Sequence, residues 1–155
     1  MNTRTTPAPT AWRMISQTAE YALRVVLYLA ARPAGERVGA SRVAAELGIP
    51  ERYLARVMNA LARDGVLLSA RGAQGGFSLA VLPAALTLGA VVAPFDAVGQ
   101  APQCLLREQR CDPSDPCLAH EHWHCIAGGV RHFFQTTTIA DLLGDELTSP
   151  LALRH

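Results

Sequence analysis

No lysine occurs in this chain: every one of its 14 basic residues is arginine. Arginine offers phosphates and guanine edges a planar, bidentate fork that lysine lacks, although a bias in genomic base composition leaves the same pattern. A secretory leader is also missing. Residues 1–12 (MNTRTTPAPTAW) contain no apolar central stretch and read as a flexible tail. An uninterrupted apolar run long enough to span a bilayer is missing too. Phe77–Phe95 carries no charge, but Pro83, Gly89 and Pro94 interrupt it, and Ser78 and Thr87 add polarity. That stretch reads as a strand, a turn and a helix. No nucleophile motif, phosphate-binding loop, paired carboxylates at a cleft or internal repeat is found, so nothing in the chain points to an enzyme or a small-molecule substrate. A cytoplasmic protein without a membrane segment is expected.

The 155 residues suffice for an ordinary domain with a real core, and 50% of them are hydrophobic, which excludes a disordered chain. The net charge of +1 hides an asymmetry. Residues 1–83 hold ten arginines against five acids, and residues 84–155 hold four against eight. A basic first half suits a polyanionic partner, and an acidic second half argues against one continuous nucleic-acid groove.

Apolar spacing organises the first half. Ala22, Val25, Val26, Leu29 and Ala30 form one stripe, predicting a helix over about Ile15–Ala31 that Arg32-Pro33-Ala34-Gly35 ends. A second helix is expected over Ala40–Leu47, then a turn at Gly48-Ile49-Pro50, then a third helix over about Pro50–Asp64. The third has two faces. Leu54, Val57, Met58, Leu61 and Ala62 point inward, while Arg52, Arg56, Asn59 and Arg63 share an outer face. A short helix, a tight turn and a helix with a basic outer face make a helix-turn-helix. Val66–Ser69 and Phe77–Val81 read as strands flanking a tip, Arg71–Gly76 (RGAQGG), and together form a wing.

In the second half a helix is expected at about Thr87–Val98, disturbed by Pro94, then a loop over 99–116. A longer helix is expected from about Cys117, and a last short turn at Ile139–Leu143. Ala119, Trp123, Ile126, Val130 and Phe133 alternate by four and three, the seam spacing of a helix that packs on a partner, its own copy included. Gly128 and Gly129 either permit close helix approach or weaken that helix.

Cys104, Cys111, Cys117 and His120 follow as C-x6-C-x5-C-x2-H within seventeen residues. Soft thiolates plus an imidazole are what an iron–sulfur cluster or a zinc ion needs. Zinc sites favour close C-x2-C pairs, so these wide spacings fit a cluster on an open loop better. In a reducing cytosol free thiols acting as a redox switch are the remaining reading. On a helix Cys117 and His120 lie one turn apart, close enough to share an iron. His124 and Cys125 lie two turns on. Cys125 reads as a helix-packing residue, and His122 and His124 as solvated.

Taken in order, these pieces resemble the Rrf-type bacterial transcriptional regulators. The matching segments are Ser16–Arg24 (SQTAEYALR), Ile49–Leu54 (IPERYL), the wing Arg71–Gly76, the cysteine loop and Thr138–Leu143 (TIADLL). The likeness covers about residues 14–143, and Met14 lies where family members usually begin. It implies a flexible extension at 1–13, a winged helix-turn-helix DNA-binding domain at 14–83, and a cluster loop (about 99–120) with a dimerisation helix at 84–143. Residues 144–155 would be a flexible tail. The expected fold class is therefore mainly α with a small β-hairpin wing and a long C-terminal dimerisation helix.

The resemblance also implies a homodimer on a palindromic double-stranded operator, its affinity set by a bound iron–sulfur cluster. The IscR branch is most similar, with Leu118-Ala119-His120 directly after the third cysteine. That branch carries over Cys104, Cys111, Cys117 and His120 as ligands of a [2Fe–2S] cluster, which is favoured. The first spacing is one residue longer than the IscR pattern, and Cys125 is extra. In the NsrR branch three cysteines hold a [4Fe–4S] cluster and an acid of helix 1 from the other subunit completes it. Glu20 falls at that acid's position and is the alternative fourth ligand. The DNA contacts expected are Arg56 on base edges, Arg52 and Tyr53 on bases or phosphates, Ser41 on a phosphate, and Arg71 with Gly72 at the wing tip. The resulting expectation is a repressor that senses cluster status, redox state or nitric oxide, with a cluster-free thiol sensor as the alternative.

Overall fold

The computed structural model describes residues 14–98 and 103–146. The expected extension at 1–13, the start of the loop at 99–102 and the tail beyond 146 lie outside the described residues. Helix α1 spans Gln17–Ala30 and is capped by Ser16, whose hydroxyl accepts from the Ala19 backbone N–H at 3.2 Å. Its stripe Ala19, Ala22, Val25, Val26 and Leu29 is buried. Helix α2 runs Ala40–Leu47 and ends at Gly48, which takes the left-handed φ of 64°. Helix α3 runs Glu51–Arg63, with Pro50 as its cap just outside the first turn. Leu54, Val57, Met58 and Leu61 seat α3 in the core shared with α1 and α2.

Strands β1 (Leu67–Ala70) and β2 (Gly76–Leu79) pair antiparallel with Leu67 opposite Leu79 and Ala70 opposite Gly76. Val38, just before α2, adds a one-residue bridge on the far side of β2: it exchanges two backbone hydrogen bonds with Phe77, at 3.0 and 2.9 Å. That bridge explains Gly76. A Cβ there would sit 2.8 Å from the Val38 carbonyl, and the φ of 139° suits glycine. The hairpin is thereby fixed to the segment leading into α2 near its tip, one pair from the turn.

Beyond β2, a 3₁₀ turn at Pro83–Ala85 leads to helix α4, Leu88–Val92, capped by Thr87. The expected helix to Val98 stops early because Pro94 cannot continue it. Helix α5 spans His120–Thr136, three residues later than the sequence pattern suggested; Cys117 and Ala119 lie before it, Ala119 as its cap. Helix α6, Ile139–Glu146, is longer than the single turn expected. It opens with a reciprocal cap: Thr138 Oγ1 accepts from the Asp141 N–H at 3.1 Å, and the Asp141 carboxylate accepts from the Thr138 N–H at 2.8 Å.

The α4 and α5–α6 segments are clasped through their main chains. Leu88 N–H donates to Thr137 O at 3.0 Å and Ile139 N–H to Leu86 O at 2.8 Å. Gly89 makes the clasp possible, since a Cβ there would stand 2.9 Å from the Phe134 carbonyl oxygen. Phe134 is the buried residue of α5, whereas Ile126 and Phe133 of the expected seam are 62% and 49% exposed. Among the described residues no helix is long and apolar enough to cross a membrane.

Candidate nucleic-acid interface and thiol site

The two faces of α3 separate as the spacing requires. Its apolar stripe is buried, and Arg52, Arg56, Asn59 and Arg63 are exposed. Ser41, in the first turn of α2, is exposed on the preceding helix. At the wing tip Arg71 and Gly72 are both exposed, and Gly72 holds a φ of 99°. Tyr53, at the start of α3, is 37% exposed. Its hydroxyl meets that of Thr18, and its ring packs edge-on against Tyr21 at 5.7 Å. The first turn of α3 is therefore tied to the first turn of α1.

The basic count of the first half overstates the charge offered to a polyanion. Arg24 donates to the Leu47 carbonyl at 2.9 Å. Arg32 lies over the Tyr28 ring and reaches Glu46 at 3.1 Å, and Arg42 pairs with Glu46 at 3.0 Å. Arg24 and Arg32 brace α1 against α2, and Arg42 holds Glu46 in place within α2. Composition could not separate them from the outer face of α3, because both uses draw on the same residue type.

The cysteine loop is built from its own contacts. Gln103 and Arg110 form an isolated bridge, and Cys104 N–H donates to Gln109 O at 2.8 Å. Arg107 pairs with Asp115 across the loop, and Asp112 accepts from the Ser114 N–H at 2.8 Å. Trp123 of α5 donates its indole N–H to Gln103 O at 2.7 Å. That contact turns Trp123 toward the loop, a role the seam spacing did not reveal.

This frame brings the Cys104 and Cys117 sulfurs to 3.4 Å. A disulfide would need about 2.05 Å, so both are thiols, as is half-buried Cys111. The Leu106 backbone N–H holds the Cys104 thiol below its usual range, opposed by desolvation and helped by Cys117, the Arg107 N–H and Cys111. Desolvation pushes the Cys111 thiol up, and charge on Cys104 and Cys117 adds to it. The two groups respond oppositely because one faces main-chain donors and the other faces sulfur.

His120 opens α5, and its backbone N–H donates to Cys117 O at 3.0 Å. The hydrogen-bonded turn keeps the pair one turn apart although Cys117 is not helical. The His120 ring itself stacks on His124, 5.4 Å between centroids. Glu20 lies half-buried in the first turn of α1. Cys125 is exposed on α5.

An iron–sulfur cluster takes thiolate ligands, and an imidazole serves where one is replaced. Three gathered sulfurs with His120 one turn on fit that donor set. Among the described residues no group of three or more Cys, His, Asp or Glu side chains is arranged to hold a single metal ion.

The family model described as "Rrf2: Iron-dependent Transcriptional regulator" matches residues 15–145. An HTH-type transcriptional regulator of Aquifex aeolicus is 34% identical over 135 residues, covering 86% of this chain and 93% of that one. The HTH-type transcriptional regulator IscR of Yersinia enterocolitica is 26% identical over 132 residues, covering 85% and 80%. Among solved structures, CymR, the global cysteine regulator of B. subtilis, superposes with a TM-score of 0.72 at 26% identity, covering 86% and 98%.

Proposed function

Because this chain belongs to the Rrf2 family of DNA-binding transcriptional regulators, and so is not an enzyme, we propose that it binds its operator under the control of an iron–sulfur cluster held by Cys104, Cys111 and Cys117. His120 is the favoured fourth ligand, with a [2Fe–2S] cluster, and Glu20 of a second protomer the alternative, with a [4Fe–4S] cluster. The single observation that carries this reading is the gathering of the thiols: Cys104 and Cys117 lie at 3.4 Å, and Cys111, its thiol raised first by desolvation, is near enough for charge on both to raise it further.

When bound, a cluster supplies iron–sulfur bonds whose number and oxidation state respond to redox conditions and nitric oxide. The residues of the chain do the rest. Cys104, Cys111 and Cys117 would tie three points of a loop that the Arg107–Asp115 pair, the Gln103–Arg110 bridge and the Asp112–Ser114 turn already shape. The Trp123–Gln103 hydrogen bond passes the position of that loop to α5. Helix α5 meets α4 at Gly89, and α4 packs on α1.

A homodimer in which α5 lies against a second copy is part of the proposal. It is supported by the exposure of Ile126 and Phe133. The open space around Gly128 and Gly129, where nothing among the described residues approaches within 4 Å of an added Cβ, supports it further. Two copies would present two α3 helices to half-sites of a palindromic operator, with Arg56 on base edges, Arg52 and Ser41 nearby, and Arg71 with Gly72 in the minor groove. The division into a reader at 14–83 and a sensor at 84–143 is part of the same proposal, as is its action as a repressor.

The test is Cys111→Ala, compared with wild type, both purified without oxygen. Wild type is expected to carry iron and acid-labile sulfide. The variant should lose both, remain folded with the same mass in solution, and shift at least about tenfold in affinity for an operator selected from random duplexes. Equal operator affinity for cluster-loaded wild type and the variant refutes cluster control.

The 3.4 Å sulfur contact and the lowered Cys104 thiol also favour a second reading, a cluster-free thiol switch. Colourless anaerobic protein whose DNA binding follows added oxidant would select it.

A further inference from the structure

Ser16 is used three times at the start of α1. Its hydroxyl accepts from the Ala19 N–H, its carbonyl accepts from the Glu20 N–H at 3.0 Å, and its own N–H donates to the Asp96 carboxylate at 2.6 Å. The last of these joins residues 80 apart in the chain. Asp96 is held in turn, because its N–H donates at 2.9 Å to the carbonyl of Val92, the last residue of α4. Phe95 beside it packs against the core. Asp96 stands after α4 and before Cys104 in the chain. Helix α1 thus begins on a carboxylate supplied by the second half of the molecule. A bond from an N–H to a charged oxygen is stronger than a neutral one.

The same first turn of α1 meets α3. The Thr18 and Tyr53 hydroxyls are hydrogen-bonded, and the Tyr21 ring meets the Tyr53 ring edge-on. Tyr21 is itself held on α1: Gln17 Nε2 donates to its hydroxyl at 2.7 Å, and the Arg24 guanidinium lies over its ring at 5.9 Å. Tyr53 belongs to the first turn of α3, next to Arg52 and one turn before Arg56. Pro50, at the N-cap of α3, supplies no side-chain cap. The buried stripe of α3 fixes where the helix sits, and the contact with α1 fixes how its open end is aimed.

We propose that Tyr53 is a positioning residue for DNA recognition. Asp96 sets the first turn of α1 through Ser16, and Thr18 and Tyr21 pass that setting to Tyr53, which fixes the angle at which α3 offers Arg52 and Arg56 to DNA. Base-edge contacts require their side chains to be held within about 0.5 Å, whereas phosphate contacts carry no sequence information. A shift of this tie therefore acts on operator recognition more than on general affinity. The inference rests on α3 as the helix that reads the operator. It gives the second half of the chain a route to α3 that does not pass through α5.

The test uses full-length protein purified without oxygen and fluorescence anisotropy on two duplexes, an operator selected from random sequence and a scrambled control. Tyr53→Phe keeps the ring against Tyr21 and loses only the hydroxyl. Thr18→Val keeps the shape and loses the other hydroxyl. Each is expected to weaken operator binding about three- to tenfold, with binding to the scrambled duplex and its salt slope unchanged. The double variant should be no weaker than either single one, because both remove the same contact. Asp96→Ala should lose affinity over the same range. Asp96→Asn, which keeps an oxygen to accept the Ser16 N–H, should recover it. Circular dichroism checks that each variant folds. Additive losses in the double variant would mean that each residue touches DNA by itself, and they overturn the proposal. Wild-type operator affinity in Thr18→Val or in Asp96→Ala also overturns it, as does an equal loss on both duplexes. Arg56→Ala on the same duplexes separates this proposal from the reading beneath it. Full operator affinity in Arg56→Ala refutes α3 as the reader, whereas its loss alongside wild-type affinity in Thr18→Val refutes the positioning role alone.

Discussion

Replacing Gly89 with alanine should destabilise the protein even though it improves a helix. Position 89 lies inside α4, where alanine is intrinsically better than glycine by about 1 kcal/mol. The added methyl, however, would stand 2.9 Å from the Phe134 carbonyl oxygen and 3.4 Å from its carbonyl carbon. Both atoms are main chain, so no side chain can swing away. Helix α5 must retreat by several tenths of an ångström, and it carries the buried Phe134 with it. Overpacking of this kind costs about 1–3 kcal/mol. A backbone obstacle belongs in the upper part of that range, which leaves a net loss of about 1–2 kcal/mol after the propensity gain. For a chain of this size that lowers the melting temperature by about 2–8 °C. Differential scanning calorimetry of wild type and Gly89→Ala at one protein concentration measures it. A variant that melts at or above the wild-type temperature would refute the reasoning, because it would mean that α4 and α5 do not approach so closely.

Arg56→Ala is expected to weaken operator binding about 10–100-fold, the effect of losing a good base contact worth about 1–3 kcal/mol; fluorescence anisotropy that finds equal affinity removes Arg56 from the interface. Arg63→Ala, at the far end of the same face, should weaken binding to all sequences alike and reduce the salt slope by about one unit. Asp141 gives a pH effect. The backbone N–H and then the hydroxyl of Thr138 hold its carboxyl below the ordinary range. A folded-state value below the unfolded one means that the cap stabilises above the unfolded carboxylate pKa of about 3.9 and fades as pH falls through the folded value. The stability gap between wild type and Asp141→Ala should therefore be constant above about pH 5 and shrink toward pH 3. Chemical denaturation across that range that finds a constant or widening gap removes the cap from the account.

Periodicity carried the reading of the first half. Helix α2 appears at the expected bounds and α1 and α3 differ by only one or two residues at their ends, because each helix has one buried stripe and clear stop residues. The Val38–Phe77 rung was not legible, since a single residue of strand leaves no alternation to detect. In the second half, local pattern and tertiary demand diverge. The cysteine loop holds Cys117 in a turn and so delays α5 to His120, and Trp123 donates its indole N–H to Gln103 of that loop. Phe134 stood one residue off the a/d spacing, so its burial could not be foreseen. The cysteine spacing identified the sulfur donors but not the 3.4 Å contact, which depends on a loop folded by the Arg107–Asp115 pair and one bridge. The stacking of His120 on His124 shows only once the start of α5 is known.

The clasp between α4 and the α5–α6 junction is made of peptide groups, Leu88 to Thr137 and Ile139 to Leu86. Hydrogen bonds of this kind are indifferent to the side chains on either strand. Mutation can therefore wander across most of this seam without unhooking it, and only a position such as Gly89, where volume intrudes, resists change. The physical record of such a joint is drift in sequence without drift in shape.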